Sequence, residues 1–112
     1  MTEGTRYLIV IRFADEGDLR ARARESAPKV KAIIERLSEK ECQLAFTSRD
    51  GSVFGYLLKV AVPLGQIRAT LFGEMGGGTA ALLRADHYFA VECGNGHDGL
   101  GFSRAWTWLQ HH

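Results

Sequence analysis

The dipeptide Asp50-Gly51 constrains the fold of this chain more than any other feature, because it stands between two segments with strand character. Residues 42–47 and 53–60 are largely apolar and include aromatic and β-branched side chains, and Asp-Gly between such segments is a strong signal for a β-hairpin. The sequence therefore predicts an antiparallel hairpin in the middle of the chain, with the remaining elements arranged around it.

Each side of this hairpin carries one strand and one helix. Residues 7–13 form an apolar, β-branched run typical of a central strand, and residues 87–93 are predicted to form the fourth strand. Apolar residues at helical spacing indicate one helix before the hairpin and one after it: Val30, Ile33, Ile34 and Leu37 in the first, and Leu64, Ile67, Leu71 and Phe72 in the second.

The ends of the helices are also predicted from local signals. Pro28 fits the first turn of the first helix, with Ser26 as its N-cap, and residues 18–25 are either a short separate helix or a loop. Pro63 begins the second helix, and Gly73 with the glycines at 76–78 ends it. After the last strand, the spacing of Phe102, Trp106 and Leu109 predicts a short C-terminal helix.

The order β-α-β-β-α-β is that of the split βαβ, or ferredoxin-like, arrangement. The expected fold is a single α+β domain over 1–112, an antiparallel sheet with two helices on one face, plus a short C-terminal helix. The second and fourth strands would lie at opposite edges, so Cys42 and Cys93 are expected to be reduced. Tyr88 and Phe89 point to opposite faces, so one of them must face the open side, and a homodimer is expected to cover it.

Composition excludes several classes of protein. The formal net charge of +1 provides no global field for nucleic acid or membrane. No apolar run approaches the roughly 20 residues of a membrane span, and the N-terminus does not resemble a signal peptide, so a cytoplasmic location is expected. The two cysteines form no CxxC pair, so a zinc site is not expected, and no cofactor is expected either.

Two glycine clusters, at 76–78 and 94–101, superficially resemble phosphate loops. The first follows a helix and has no lysine, and the second lacks the further strand and acidic residue that a dinucleotide site needs. Both are interpreted as turns, and the adjacent His97-Asp98 as part of a solvated loop.

Residues 20–31 contain the one local excess of positive charge, with five basic side chains and one acidic side chain. Such a patch could contact several phosphates, or it could be a solvated helix face. The interleaved residues are alanines, so no base-stacking platform is expected here. The candidate nucleic-acid-binding residues are Arg20, Arg22, Arg24, Lys29 and Lys31.

The opening strand "RYLIVIRF" and the closing stretch "RADHYFAVECGNGHDGLGFSRAWTWL" resemble the SinR-like proteins, small ferredoxin-fold relatives of the CRISPR-associated, metal-dependent endoribonucleases and adaptor dimers. That family has an acidic residue before its last strand, and Asp86 stands there in this chain. Its turn after that strand corresponds to Glu92-Cys93-Gly94-Asn95, and its closing Trp-Leu corresponds to Trp108-Leu109. The resemblance implies the fold and a dimer.

Nuclease members of that family carry an aspartate at the end of the first strand, where it holds a metal ion across the dimer. Asp15 is the nearest counterpart, and so it is the weak candidate for a catalytic and metal-binding residue. Arg12 lies where negative charge would be expected and would oppose metal binding.

Three functional hypotheses follow. The leading one is a non-enzymatic homodimer that contacts nucleic acid or a protein partner through residues 20–31. The alternatives are a metal-dependent nuclease that uses Asp15, and a module that binds a small molecule on the open sheet face.

Overall fold

The computed structural model describes residues 4–14, 17–74, 80–94 and 103–111. These residues form four strands and three helices, which are, in chain order, β1 (Thr5–Arg12), α1 (Leu19–Leu37), β2 (Cys42–Thr47), β3 (Val53–Val60), α2 (Leu64–Leu71), β4 (His87–Glu92) and α3 (Ser103–His111). The predicted order of elements is confirmed, and the bounds of β2 and β3 coincide with the predicted ones.

The strands form one antiparallel sheet in the order β2-β3-β1-β4. The domain is therefore of the α+β class, and β2 and β4 lie at opposite edges of the sheet, as predicted. Cys42 begins β2 and Cys93 directly follows β4, and both thiols are free.

Thiol counting tests the state of these cysteines in solution. Burial raises the pKa of the Cys42 and Cys93 thiols, so both should react slowly with a thiol reagent near neutral pH while the protein is folded. Denatured but unreduced protein should release both thiols at once. A count of zero thiols in the denatured protein would contradict either the strand order or the expected cytoplasmic location.

The predicted hairpin forms, and Asp50 organises its turn. The backbone amide of Ser48 donates to the carbonyl oxygen of Val53 (2.7 Å), and the amide of Gly51 donates to that of Ser48 (3.1 Å). Gly51 has φ +78°, a conformation that glycine adopts without steric cost. The Asp50 carboxylate accepts hydrogen bonds from the hydroxyls of Ser52 and Ser48 and from the Ser52 amide, which lower the pKa of Asp50 to about 2.

The hydrophobic core lies between the sheet and the helices α1 and α2. Alternate residues of β1, Ile9 and Ile11, are fully buried on this face, and Phe13 continues the row just after the strand. They pack against buried residues of both helices and of β3, which include Val30, Ile34, Ile67, Leu71, Phe54 and Leu58. One face of the sheet is thus covered as the hydrophobic periodicity predicted.

The third helix covers part of the opposite face. Tyr7 packs against the core, so its neighbour Arg6 points to the other side of the sheet. The Arg6 guanidinium donates there to the carbonyl oxygens of Leu109 in α3 (3.0 Å) and of Gly94 (2.6 Å). Helix α3 also packs against β2, and Trp108 and Leu57 are both buried. The expected open face is therefore open mainly at its β4 side.

Helix α1 corrects the predicted N-cap. It begins after Asp18, whose carboxylate accepts hydrogen bonds from the backbone amides of Arg20 and Ala21. Ser26 is inside the helix and buried, and Pro28 is also internal. The interpretation of Ser26 as the cap was wrong because Asp18 provides an equivalent cap two turns earlier, while the packed inner face keeps the helix continuous through the proline.

Candidate functional site

An open groove of about 530 Å³ lies between the first half of α1 and the β2–β3 hairpin. We call it the arginine groove. Three arginines are among its lining residues, Arg20 and Arg24 from α1 and Arg49 from the hairpin turn, and the others are Ala23, Ala27, Leu44, Thr47, Ser48, Asp50, Gly51, Phe54 and Tyr56.

Helical spacing explains which of the predicted basic residues reach this groove. One stripe along α1 consists of residues spaced by four, three and four positions, which lie on the same side of a helix. These residues are Arg20, Arg24, Ala27 and Lys31. Ala27 is small, and it leaves space between the helix and β2. Lys31 is exposed and continues the stripe beyond the groove.

Arg22 and Lys29 lie on the other flank of α1, and the structure does not bring them to the groove. At 100° per residue they fall roughly opposite the stripe of Arg20. Lys29 is exposed there. Arg22 turns its guanidinium toward Asp86, to which it donates from both terminal nitrogens (3.0 and 2.5 Å), and it lies 4.8 Å from the centre of the Phe13 ring.

Asp86 is the polar centre of that flank. Its side chain has no exposed surface, and besides Arg22 it accepts hydrogen bonds from the backbone amides of Ala14 (2.8 Å) and Leu83 (2.7 Å). Burial alone would raise the pKa of Asp86, but these hydrogen bonds outweigh it and hold the pKa below its usual value. Arg22 and Asp86 therefore join α1, the end of β1 and the start of β4, which is a structural role.

The arginine groove combines positive charge with hydroxyl groups and an apolar floor. Arg20, Arg24 and Arg49 are exposed, so their guanidinium groups are accessible at its rim. The only carboxylate among the lining residues is Asp50, whose oxygen Oδ1 is already engaged by Ser48 and Ser52. Burial raises the pKa of Tyr56 above its ordinary value. Guanidinium groups around such a groove are suited to phosphate or carboxylate groups.

Arg49 was not among the residues predicted from the sequence. It lies in the turn that follows β2, outside the basic stretch of α1. A helix that connects two parallel strands of a sheet runs antiparallel to them, so the start of α1 lies level with the end of β2. The predicted order of strands therefore contains the information that Arg49 lies beside Arg20. Counting charges along the chain does not contain it.

Comparison of the chain with protein-family models, with curated proteins and with solved structures gives no match.

Several of the predicted features lie outside the described residues. These are Asp15, the glycine cluster at 76–78, most of the second cluster, and His97-Asp98. Within the described ranges, no group of three or more His, Cys, Asp or Glu side chains is arranged to hold a metal ion. None of the helices in those ranges combines the length and the apolar character that a membrane span requires.

Proposed function

We propose that this protein is a non-enzymatic binding module that holds nucleic acid by its phosphates in the arginine groove. One observation carries the proposal: Arg20 and Arg24 of α1 and Arg49 of the hairpin, which are distant in sequence, line a single open groove. Three cations on two opposing walls can contact successive phosphates of one backbone.

Guanidinium groups suit this task because each one presents several N–H donors in a fixed plane and remains charged at any physiological pH. The net charge of the whole chain is only +1, so attraction must be local. Phe54 and Tyr56 lie at the floor of the groove and are buried, which leaves no exposed aromatic ring for stacking on bases. Recognition of this kind reads the backbone and is independent of sequence.

We also propose that the domain is ferredoxin-like, with α3 as an addition on the second face. The sheet order β2-β3-β1-β4 supports this, because it places the hairpin partner β3 next to β1 and leaves β2 and β4 at the edges. The resemblance to the SinR-like proteins is consistent with the same order of elements.

A salt titration of the unmodified protein tests the proposed function. Fluorescence anisotropy with a labelled 12-nucleotide single strand, and with a duplex of the same sequence, should show binding that weakens as salt rises. Three neutralised phosphates predict a log–log slope of about −2 for the single strand and about −3 for the duplex. Unlabelled mononucleotide should compete only weakly, because it presents one phosphate site. Absence of binding at low salt, or affinity that does not depend on salt, would contradict the proposal.

A further inference from the structure

Strand β4 is an edge strand whose outer side is not paired within the described sheet. The amide of Cys93 donates to the carbonyl oxygen of Arg6 (2.8 Å), which fixes the alternation of hydrogen bonds along the strand. Residues 87, 89, 91 and 93 direct their backbone groups toward β1, and residues 88, 90 and 92 direct theirs outward. Such an edge is a template for another strand.

The sheet face beside this edge is apolar and exposed. Phe89 is 58% exposed and Val91 is 38% exposed, and both point to the face that lies opposite α1 and α2. Helix α3 packs against β2, at the far edge of the sheet. Two large apolar side chains are thus placed next to three residues with unpaired backbone groups.

The helix side of the same edge contains a polar group without a partner. A cavity of about 380 Å³ opens there and is lined by Arg68 of α2 and Tyr88 of β4, among others. The Tyr88 hydroxyl is buried and has no hydrogen-bond partner among the described residues. Burial raises the pKa of Tyr88 to about 12, while the nearby positive charge of Arg68 acts in the opposite direction. Arg68 is exposed beside this cavity, so a negatively charged group of a partner would suit the site.

We infer that a second copy of this chain pairs its β4 with this edge, antiparallel and about a two-fold axis through Ala90, to form a continuous sheet. In this register, Tyr88 faces Glu92 of the second copy, and Phe89 faces Val91 of the second copy. All three outward-facing residues of each strand then have partners within β4, and the exposed Glu92 carboxylate of each copy lies near the exposed Arg68 of the other.

The neighbouring two-fold registers are less favourable. An axis through Phe89 would place Glu92 opposite Asp86 of the second copy, which lies outside β4 and whose carboxylate is buried against Arg22. An axis through Val91 would place Tyr88 opposite Gly94 of the second copy, which also lies outside β4. Registers between these would turn the side chains of the two copies to opposite faces. Of the three axes, only the one through Ala90 pairs all three outward-facing residues with residues of β4.

Sedimentation equilibrium of the full chain tests the interface. The unmodified protein should sediment at twice the 12.4 kDa of the chain at micromolar concentration. Phe89→Lys should raise the dimer dissociation constant at least tenfold, because both symmetric contacts of Phe89 with Val91 are lost. Leu83→Lys is the matched control, since Leu83 is 57% exposed but lies outside β4. A monomeric unmodified protein, or equal effects of the two variants, would overturn the inference.

Charge exchange tests the register separately from the fold. Glu92→Arg and Arg68→Glu should each weaken the dimer about tenfold, because each places two like charges together at both symmetric sites. The double variant, Glu92→Arg with Arg68→Glu, should restore the dimer to near its original stability. Circular dichroism should show the same secondary structure in all three. A double variant that is no better than either single variant would contradict the axis through Ala90.

Nucleic-acid binding should persist in every one of these variants, because the arginine groove lies beside the opposite edge strand.

Discussion

Replacement of Arg20, Arg24 and Arg49 together by alanine is expected to lower the affinity for a short oligonucleotide about 100-fold. Each guanidinium in the groove contributes about 1 kcal/mol through its phosphate contact near the protein surface, and about 3 kcal/mol in total corresponds to a factor of roughly 100. The salt dependence should flatten at the same time, because fewer counterions are released. Anisotropy titrations at several salt concentrations measure both quantities.

A second triple variant provides the control for charge. Lys29, Arg36 and Arg84 are exposed cations outside the groove, and their replacement by alanine changes the net charge by the same amount. This variant should bind within about threefold of the unmodified protein, since long-range effects are screened at physiological salt. Equal losses in the two triple variants would mean that net charge, and not the groove, governs binding.

Replacement of Asp86 by alanine is expected to lower the free energy of unfolding by about 3 kcal/mol or more. The change leaves the Arg22 guanidinium without its bidentate partner and removes the acceptor of two backbone amides, those of Ala14 and Leu83. Urea unfolding monitored by tryptophan fluorescence measures this loss. Asp50→Ala is a useful comparison because Asp50 stabilises only the hairpin turn, and it should cost clearly less. A loss below about 1 kcal/mol for Asp86→Ala would contradict the role assigned to this pair.

The same carboxylate should give the protein a characteristic acid sensitivity. The pKa of Asp86 is lower in the folded protein than the value near 3.9 of an unfolded chain, so its contribution to stability is complete above pH 3.9 and is lost as the pH falls through the folded-state pKa. Asp50, with a pKa of about 2, acts in the same acid range. The difference in unfolding free energy between the unmodified protein and Asp86→Asn isolates the Asp86 contribution, and it should shrink below pH 4. A difference that does not change between pH 6 and pH 3 would contradict this prediction.

Local signals in the sequence were sufficient for the elements and for the hairpin. Asp50-Gly51 predicted the turn because a positive φ at Gly51 suits a tight connection between strands, and alternation predicted that Tyr88 and Phe89 face opposite sides of the sheet. Tyr88 packs beside Phe72 and Phe89 is exposed. The predicted N-cap of α1 was wrong because the sequence offers two residues that can cap a helix, Asp18 and Ser26. Only the packing of the helix decides between them.

The candidate site was only partly predictable. Charge counting found the basic stretch of α1, but it could not separate Arg24, which lines the groove, from Arg22, which is paired with a buried aspartate 64 residues away. The two arginines differ because they lie on different sides of α1. Which side faces the groove depends on how the helix packs against the sheet. Arg49 joins the site only because the chain order places the end of β2 beside the start of α1.

Mapping of the bound ligand on the protein tests the central claim most directly. In amide-resolved NMR spectra of the unmodified protein, addition of a short oligonucleotide at low salt should shift the signals of the residues that line the arginine groove, which are Arg20, Ala23, Arg24 and Ala27 in α1 and residues 47–51 in the hairpin. Signals of β4, which is the opposite edge strand, and of Arg68 beside it should move little. Shifts concentrated at β4, or the absence of shifts at the groove while binding is saturated, would contradict the assignment of the groove as the nucleic-acid interface.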